Sequence, residues 1–124
     1  MGSNERTPDM PTVTEYTVGG RIWIAAGGQA FLGLGRVRLL ELVEQTGSVR
    51  QAAQSMQMSY RNALRLIHNI NARATVPLVM LNQGGPGGGG ASLTVYGHHA
   101  IAQYYLIQER FNLFLEEHNA GLLL

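Results

Sequence analysis

The chain has 124 residues, 45% of them hydrophobic and 14% charged, which is enough for one packed core and too little for a second full domain. Nine basic residues, all arginine, face eight acidic ones for a net charge of +1, so no global field announces a nucleic-acid or membrane partner. The absence of cysteine excludes disulfides, thiolate metal sites and thiol catalysis, and there is neither an apolar run of about eighteen residues nor a signal-like start, so a cytoplasmic protein is expected.

Residues 1–20 are polar and lack an apolar period, which reads as a disordered or extended lead-in. Arg21 to Ala25 and Ala30 to Leu32 are short apolar runs around Gly27-Gly28, the pair that supplies positive φ angles to a tight hairpin. From Arg36 to Thr46, Val37, Leu39, Leu40 and Val43 fall at helical spacing, and Gly47 stops the helix. Ser48 with Gln51 forms a capping box, and Val49, Ala52, Ala53 and Met56 give a second helix of about two turns. Ser59 caps a third helix, Tyr60 to about Ala72. Two capped helices joined by so short a turn must cross steeply, as in a helix-turn-helix. Leu78 to Leu81 and Ser92 to Tyr96 are β-prone and flank seven consecutive glycine or proline residues, a hairpin pattern. A helix without breakers then runs from Gly97 to about His118, leaving 119–124 as a tail.

The charge is segregated. Between Arg36 and Arg73 six arginines face only Glu41 and Glu44, a local balance of +4, while residues 1–35 carry −1 and 74–124 carry −2. Turning the third helix by about 100° per residue puts Tyr60, Ala63, Leu64, Leu66, Ile67 and Ile70 on one arc, and Arg61, Asn62, Arg65, His68 and Asn69 on the other. A major groove about 12 Å wide admits one helix, whose arginines reach phosphates or guanine and whose asparagine pairs with adenine.

Other chemistry is weakly supported. A nucleotide-binding loop needs Lys and Ser or Thr after its last glycine, but Gly90 precedes Ala91-Ser92. His98 and His99 are adjacent, hence about 100° apart on a helix, and no His-x-x-x-His pair occurs, so no metal is expected. Glu41/Glu44 and Glu116/Glu117 occupy ordinary surface positions and are expected to be solvated. With no nucleophile elbow or triad order, no catalytic residue is assigned and an enzyme is not expected.

The run Gly47-Ser48-Val49 to Ala52-Ala53, Met58-Ser59-Tyr60-Arg61, Pro77-Leu78-Val79, Gly84-Gly85, Gly87 to Ala91, Leu93-Thr94 and Gly97 resembles the N-terminal DNA-binding domain of ModE-type molybdate-responsive transcription regulators, from about Arg21 to Glu117. LysR-type regulators have a similar N-terminal domain but usually lack such a glycine run. The resemblance implies a winged helix-turn-helix that dimerises and binds operator DNA, with the third helix as reader. There are departures. Full-length members carry oxyanion-binding domains, whereas this chain ends about seven residues after the long helix, so molybdate binding is not expected. The wing has Asn82-Gln83 and Pro86 where a basic residue is usual, and Gln57 stands where the turn commonly has a left-handed glycine.

The expected fold is therefore mainly α with small β-hairpins (α+β), a winged helix-turn-helix over 21–118 with a long dimerisation helix over about 97–118. Ser48, Arg50, Ser59 and Tyr60 are expected on phosphates, and Arg61, Asn62, Arg65 and His68 toward base edges or flanking backbone, His68 being alternatively a plain solvated side chain. Gly84, Gly85, Gly87, Gly88, Gly89 and Gly90 form the wing, either apposed to DNA through backbone N–H groups or not touching it. Ile101, Tyr104, Tyr105, Leu106, Ile107, Phe111, Leu113, Phe114 and Leu115 populate nearly the whole circumference of the last helix, so one side is expected to cover the domain and another to meet a second copy, with Ile101, Tyr104, Tyr105, Phe111 and Phe114 in the homodimer contact. No cofactor or membrane partner is expected. The alternative is a protein-interaction module on the same fold that never meets DNA.

Overall fold

The computed structural model describes residues 13–82 and 90–124. Residues 13–23 have no regular secondary structure, and strands β1 (Ile24–Ala26) and β2 (Gln29–Leu32) follow as an antiparallel hairpin pairing Ala26 with Gln29. Gly27 and Gly28 have φ of 59° and 80°, the left-handed pair that a two-residue turn between right-twisted strands requires. Arg21, Ile22 and Trp23 fall outside the strand expected to begin at Arg21, and the register is irregular between Ile24 and Ala25.

Helix α1 (Leu34–Thr46) buries Val37, Leu39, Leu40 and Val43 and ends on left-handed Gly47. Helix α2 (Val49–Ser55) starts where the Ser48 side chain accepts the Gln51 N–H at 3.1 Å, and α3 (Tyr60–Arg73) where that of Ser59 accepts the Asn62 N–H at 3.0 Å. Between them Gln57 has φ 58°, so the left-handed turn is made by a residue with a side chain. The three helices share one core through Val43, Ala52, Ala53, Ala63, Ile67 and Ile70.

A second antiparallel pair, β3 (Val79–Leu81) and β4 (Ala91–Leu93), matches Val79 with Leu93 and Leu81 with Ala91 and forms the wing. Asn82 N–H donates to the Gly90 carbonyl at 2.8 Å, and Ala91 N–H donates to the Gly47 carbonyl at 3.0 Å, which ties the wing to the end of α1. Val95 and Tyr96, expected to extend the second strand, instead open helix α4 (Val95–Asn119). The reason is Thr94, whose hydroxyl oxygen accepts the Gly97 N–H at 3.1 Å and caps the helix two residues early.

Only Gly97 and Tyr104 of α4 are buried. Tyr104, expected in a subunit contact, is 1% exposed and closes the core of its own chain, with Ile101 packed beside it. The far end of α4 meets the segment before β1: Val18 N–H donates to Asn119 Oδ1 at 2.6 Å, Asn119 Nδ2 donates back to the Val18 carbonyl at 3.2 Å, and Phe111 lies against Gly20.

Candidate nucleic-acid interface

Because Ala63, Ile67 and Ile70 face the core, α3 turns Arg61, Arg65 and His68 to solvent on the opposite side. Arg65 Nη2 donates to Asn62 Oδ1 at 2.6 Å, so two of the expected reading residues are linked before any ligand arrives. Asn62 Nδ2 points to the Met58 sulfur at 3.8 Å. Tyr60, placed by helical periodicity on the packing arc, is the first residue of α3 and is 39% exposed. Its ring sits under the guanidinium of Arg50 from the first turn of α2, 4.2 Å from ring centre to the Arg50 carbon. The three outward residues of α3 and the Arg50–Tyr60 stack therefore lie on adjoining helices of the turn.

Ser48 and Ser59 both act as helix caps through their oxygens. A capping serine accepts with its oxygen and keeps its O–H free to donate, so the cap and a phosphate contact are compatible in one side chain. Asn69, read as part of the polar face, turns aside: its Oδ1 accepts from Arg36 Nη1 at 2.9 Å and from Arg73 Nε at 3.0 Å. Gly84, Gly85, Gly87, Gly88 and Gly89 lie outside the described residues, while Gly90 is exposed beside the Gly47 carbonyl.

Two residues missed by sequence reasoning hold this surface in place. Asn71 Oδ1 accepts from Leu78 N–H at 2.9 Å and Val79 N–H at 3.1 Å, and Nδ2 donates to the Val79 carbonyl at 3.0 Å, fastening the first wing strand to α3. Glu44, expected to be solvated, accepts the Leu93 N–H at 3.0 Å and lies 3.3 Å from His98 Nε2, joining α1, β4 and α4. Glu41 likewise accepts from the Tyr105 hydroxyl at 2.8 Å. Burial, then this carboxylate neighbour, pushes the Tyr105 phenol above its ordinary value. Among the described residues that His98–Glu44 contact is the one approach of a basic side chain to a carboxylate within ion-pair distance, so no arginine of the surface is matched by a carboxylate. No group of three or more metal-ligating side chains occurs among them either, and no described helix is long and apolar enough to cross a membrane.

Two capped helices joined by a short turn, an exposed arginine-bearing second helix and a hairpin fastened to it define a winged helix-turn-helix protein. No family model matches the chain. Its sequence is similar, at 38% identity over 81 residues, to the molybdenum transport protein ModE of Azotobacter vinelandii, covering 65% of this chain and 30% of that one. It is 38% identical over 73 residues to the transcriptional regulator ModE of Haemophilus influenzae, and 38% over 74 residues to the DNA-binding transcriptional dual regulator ModE of Escherichia coli K12. These stretches cover 59% and 60% of this chain, and 29% and 28% of those proteins. The similarity is thus to ModE-type regulators, as the sequence resemblance has it, and the chain spans about 30% of the length of the curated relatives it matches.

Proposed function

We propose that this chain binds duplex DNA sequence-specifically as a homodimeric transcriptional regulator, with α3 in the major groove. The observation that carries the reading is the outward row of Arg61, Arg65 and His68 on α3, none of its arginines matched by a carboxylate among the described residues. Arg61 and Arg65 meet guanine edges or phosphates, Asn62 orients Arg65 and offers its own amide, and Arg50, Tyr60, Ser48 and Ser59 seat the motif on the backbone. Two relatives named as regulators, one of them as DNA-binding, support the same assignment. A regulator of this kind works beside the chromosome, hence in the cytoplasm. Because this chain matches under a third of each relative, no molybdate site is proposed for it.

The test is a mobility shift on fragments enriched from a random duplex pool. Arg61→Ala with Arg65→Ala should lower affinity tenfold or more, since each guanine pairing is worth about 1 to 3 kcal/mol, and relax the sequence preference. Unchanged affinity and preference in a folded double variant refute the assignment of these residues. A wild-type protein that retains no duplex at low salt refutes DNA binding and leaves a protein-interaction module on the winged fold.

A further inference from the structure

Arg36 at the start of α1 and Arg73 at the end of α3 come together on a single neutral oxygen. Both donate to Asn69 Oδ1, at 2.9 and 3.0 Å, and Arg36 Nη1 also reaches the Phe31 carbonyl at 3.3 Å. A half-buried pair of guanidinium groups ordinarily gathers around a carboxylate, because its charge offsets the desolvation of both cations. Here the shared acceptor is an amide, and no described carboxylate lies within ion-pair range of either arginine. The Arg36 guanidinium is accordingly held below its ordinary value, first by burial and then by the positive charges of Arg73 and Arg65. Among described residues, Nε and Nη2 of Arg36 and both terminal nitrogens of Arg73 have no protein acceptor, which leaves two planar forks beside each other.

We propose that Arg36 and Arg73, braced by Asn69, form a cradle for one phosphate group, and that in the DNA complex this is a backbone phosphate flanking the reading helix. The proposal rests on the DNA-binding reading for the source of the phosphate, but not for the existence of the cradle. Helix geometry distinguishes this position from the base-reading one. Arg61, Arg65, Asn69 and Arg73 follow each other at four-residue steps, each turning the helix face by about 40°, so Arg73 lies about 120° round from Arg61. It is also about 18 Å further along the axis, more than the roughly 12 Å width of a major groove. When the first turn of α3 is at the bases, the cradle is at or beyond the groove rim, where phosphates lie and base edges do not.

Two variants test it, Arg36→Gln with Arg73→Gln, and Asn69→Asp. The second keeps both arginines and supplies the missing negative charge, so it should raise Tm while weakening DNA binding, a pair of effects that misfolding cannot produce. On a short labelled duplex of mixed sequence, followed across a potassium chloride titration, both variants should lower affinity and reduce the slope of log K against log salt by about 0.9, one phosphate's worth. Wild-type slope and affinity in both variants, with the wild type binding normally, overturn the cradle and leave the regulator reading intact. If the wild type binds no duplex, the regulator reading falls and inorganic phosphate decides about the cradle. A phosphate-dependent rise in Tm that both variants lack supports the site with a free anion as its ligand, and no rise overturns it.

Discussion

Asn71 uses its side-chain amide in both directions, two N–H groups of Leu78 and Val79 on its oxygen and one carbonyl on its nitrogen, all at 3.1 Å or less. Leu78 and Val79 are buried, so removing the amide strands their N–H groups away from water. At about 1 to 3 kcal/mol for each stranded group, Asn71→Ala should cost about 3 kcal/mol, and a thermal melt followed by circular dichroism should drop by more than about 10 °C. Gln57 makes the opposite case. Its left-handed φ of 58° carries a steric penalty that glycine does not, partly cancelled because glycine also loosens the unfolded chain. Gln57→Gly should therefore stabilise by about 0.5 to 1 kcal/mol, seen as a higher urea midpoint with an unchanged slope. The left-handed turn at Gln57 was legible only through the family resemblance, which puts a left-handed glycine at that position, and the side chain present there did not displace it. The role of Asn71 was not legible, because a mid-helix asparagine reads only as a weak helix former until the return path of residues 74 to 79 is known.

At the scale of elements, the three caps at Ser48, Ser59 and Thr94 explain why the helix starts were readable or misread. Ser48 and Ser59 precede plain helical periodicity, whereas Thr94 follows a β-prone run, and Val95 and Tyr96 look as suited to a strand as to a helix. Gly97 then decides how closely α4 approaches the wing. A Cβ there would stand 2.3 Å from the Leu78 carbonyl oxygen, far inside contact distance, although alanine is otherwise about 1 kcal/mol better than glycine in a helix. The clash involves backbone that Asn71 and Thr94 both hold, so it outweighs the propensity gain. Gly97→Ala should destabilise by about 1 to 3 kcal/mol, measurable by urea unfolding. The tie between α1 and α4 is pH-sensitive in one direction. Since folding raises the Tyr105 phenol above its ordinary 10.0, the stability this contributes is fully present below pH 10.0 and is lost as pH climbs through the raised value. Absorbance titration of the phenolates should show a late-ionising component that Tyr105→Phe lacks.

At the scale of the whole molecule, the outer side of α4 is an apolar surface that no described part of its own chain covers. Helix α4 is about 37 Å long at 1.5 Å per residue, and its inward side carries Gly97, Ala100, Ile101 and Tyr104. Leu106 and Leu113 form a stripe opposite that side, and Ile107 and Phe114 widen it along the flank toward Ala100, with Leu113 55% and Phe114 48% exposed. Sequence periodicity showed that the helix is apolar all round but not which residues face which way. Of the five residues expected in a subunit contact, Tyr104 and Ile101 face inward, Tyr105 bonds Glu41, Phe111 meets Gly20, and Phe114 lies on the flank of the outward stripe. A second copy applied about a two-fold axis would bury the same stripe on both chains. Wild-type protein should then sediment at twice the 13.5 kDa of the chain. Leu106→Glu with Leu113→Glu puts two charges on the stripe at exposed positions, so it should give a folded monomer. Duplex affinity should fall with it, since each monomer then holds a single half-site. Sedimentation of the wild type at 13.5 kDa across micromolar concentrations would exclude the dimer, and a double variant that still sediments as a dimer would move the contact off this stripe.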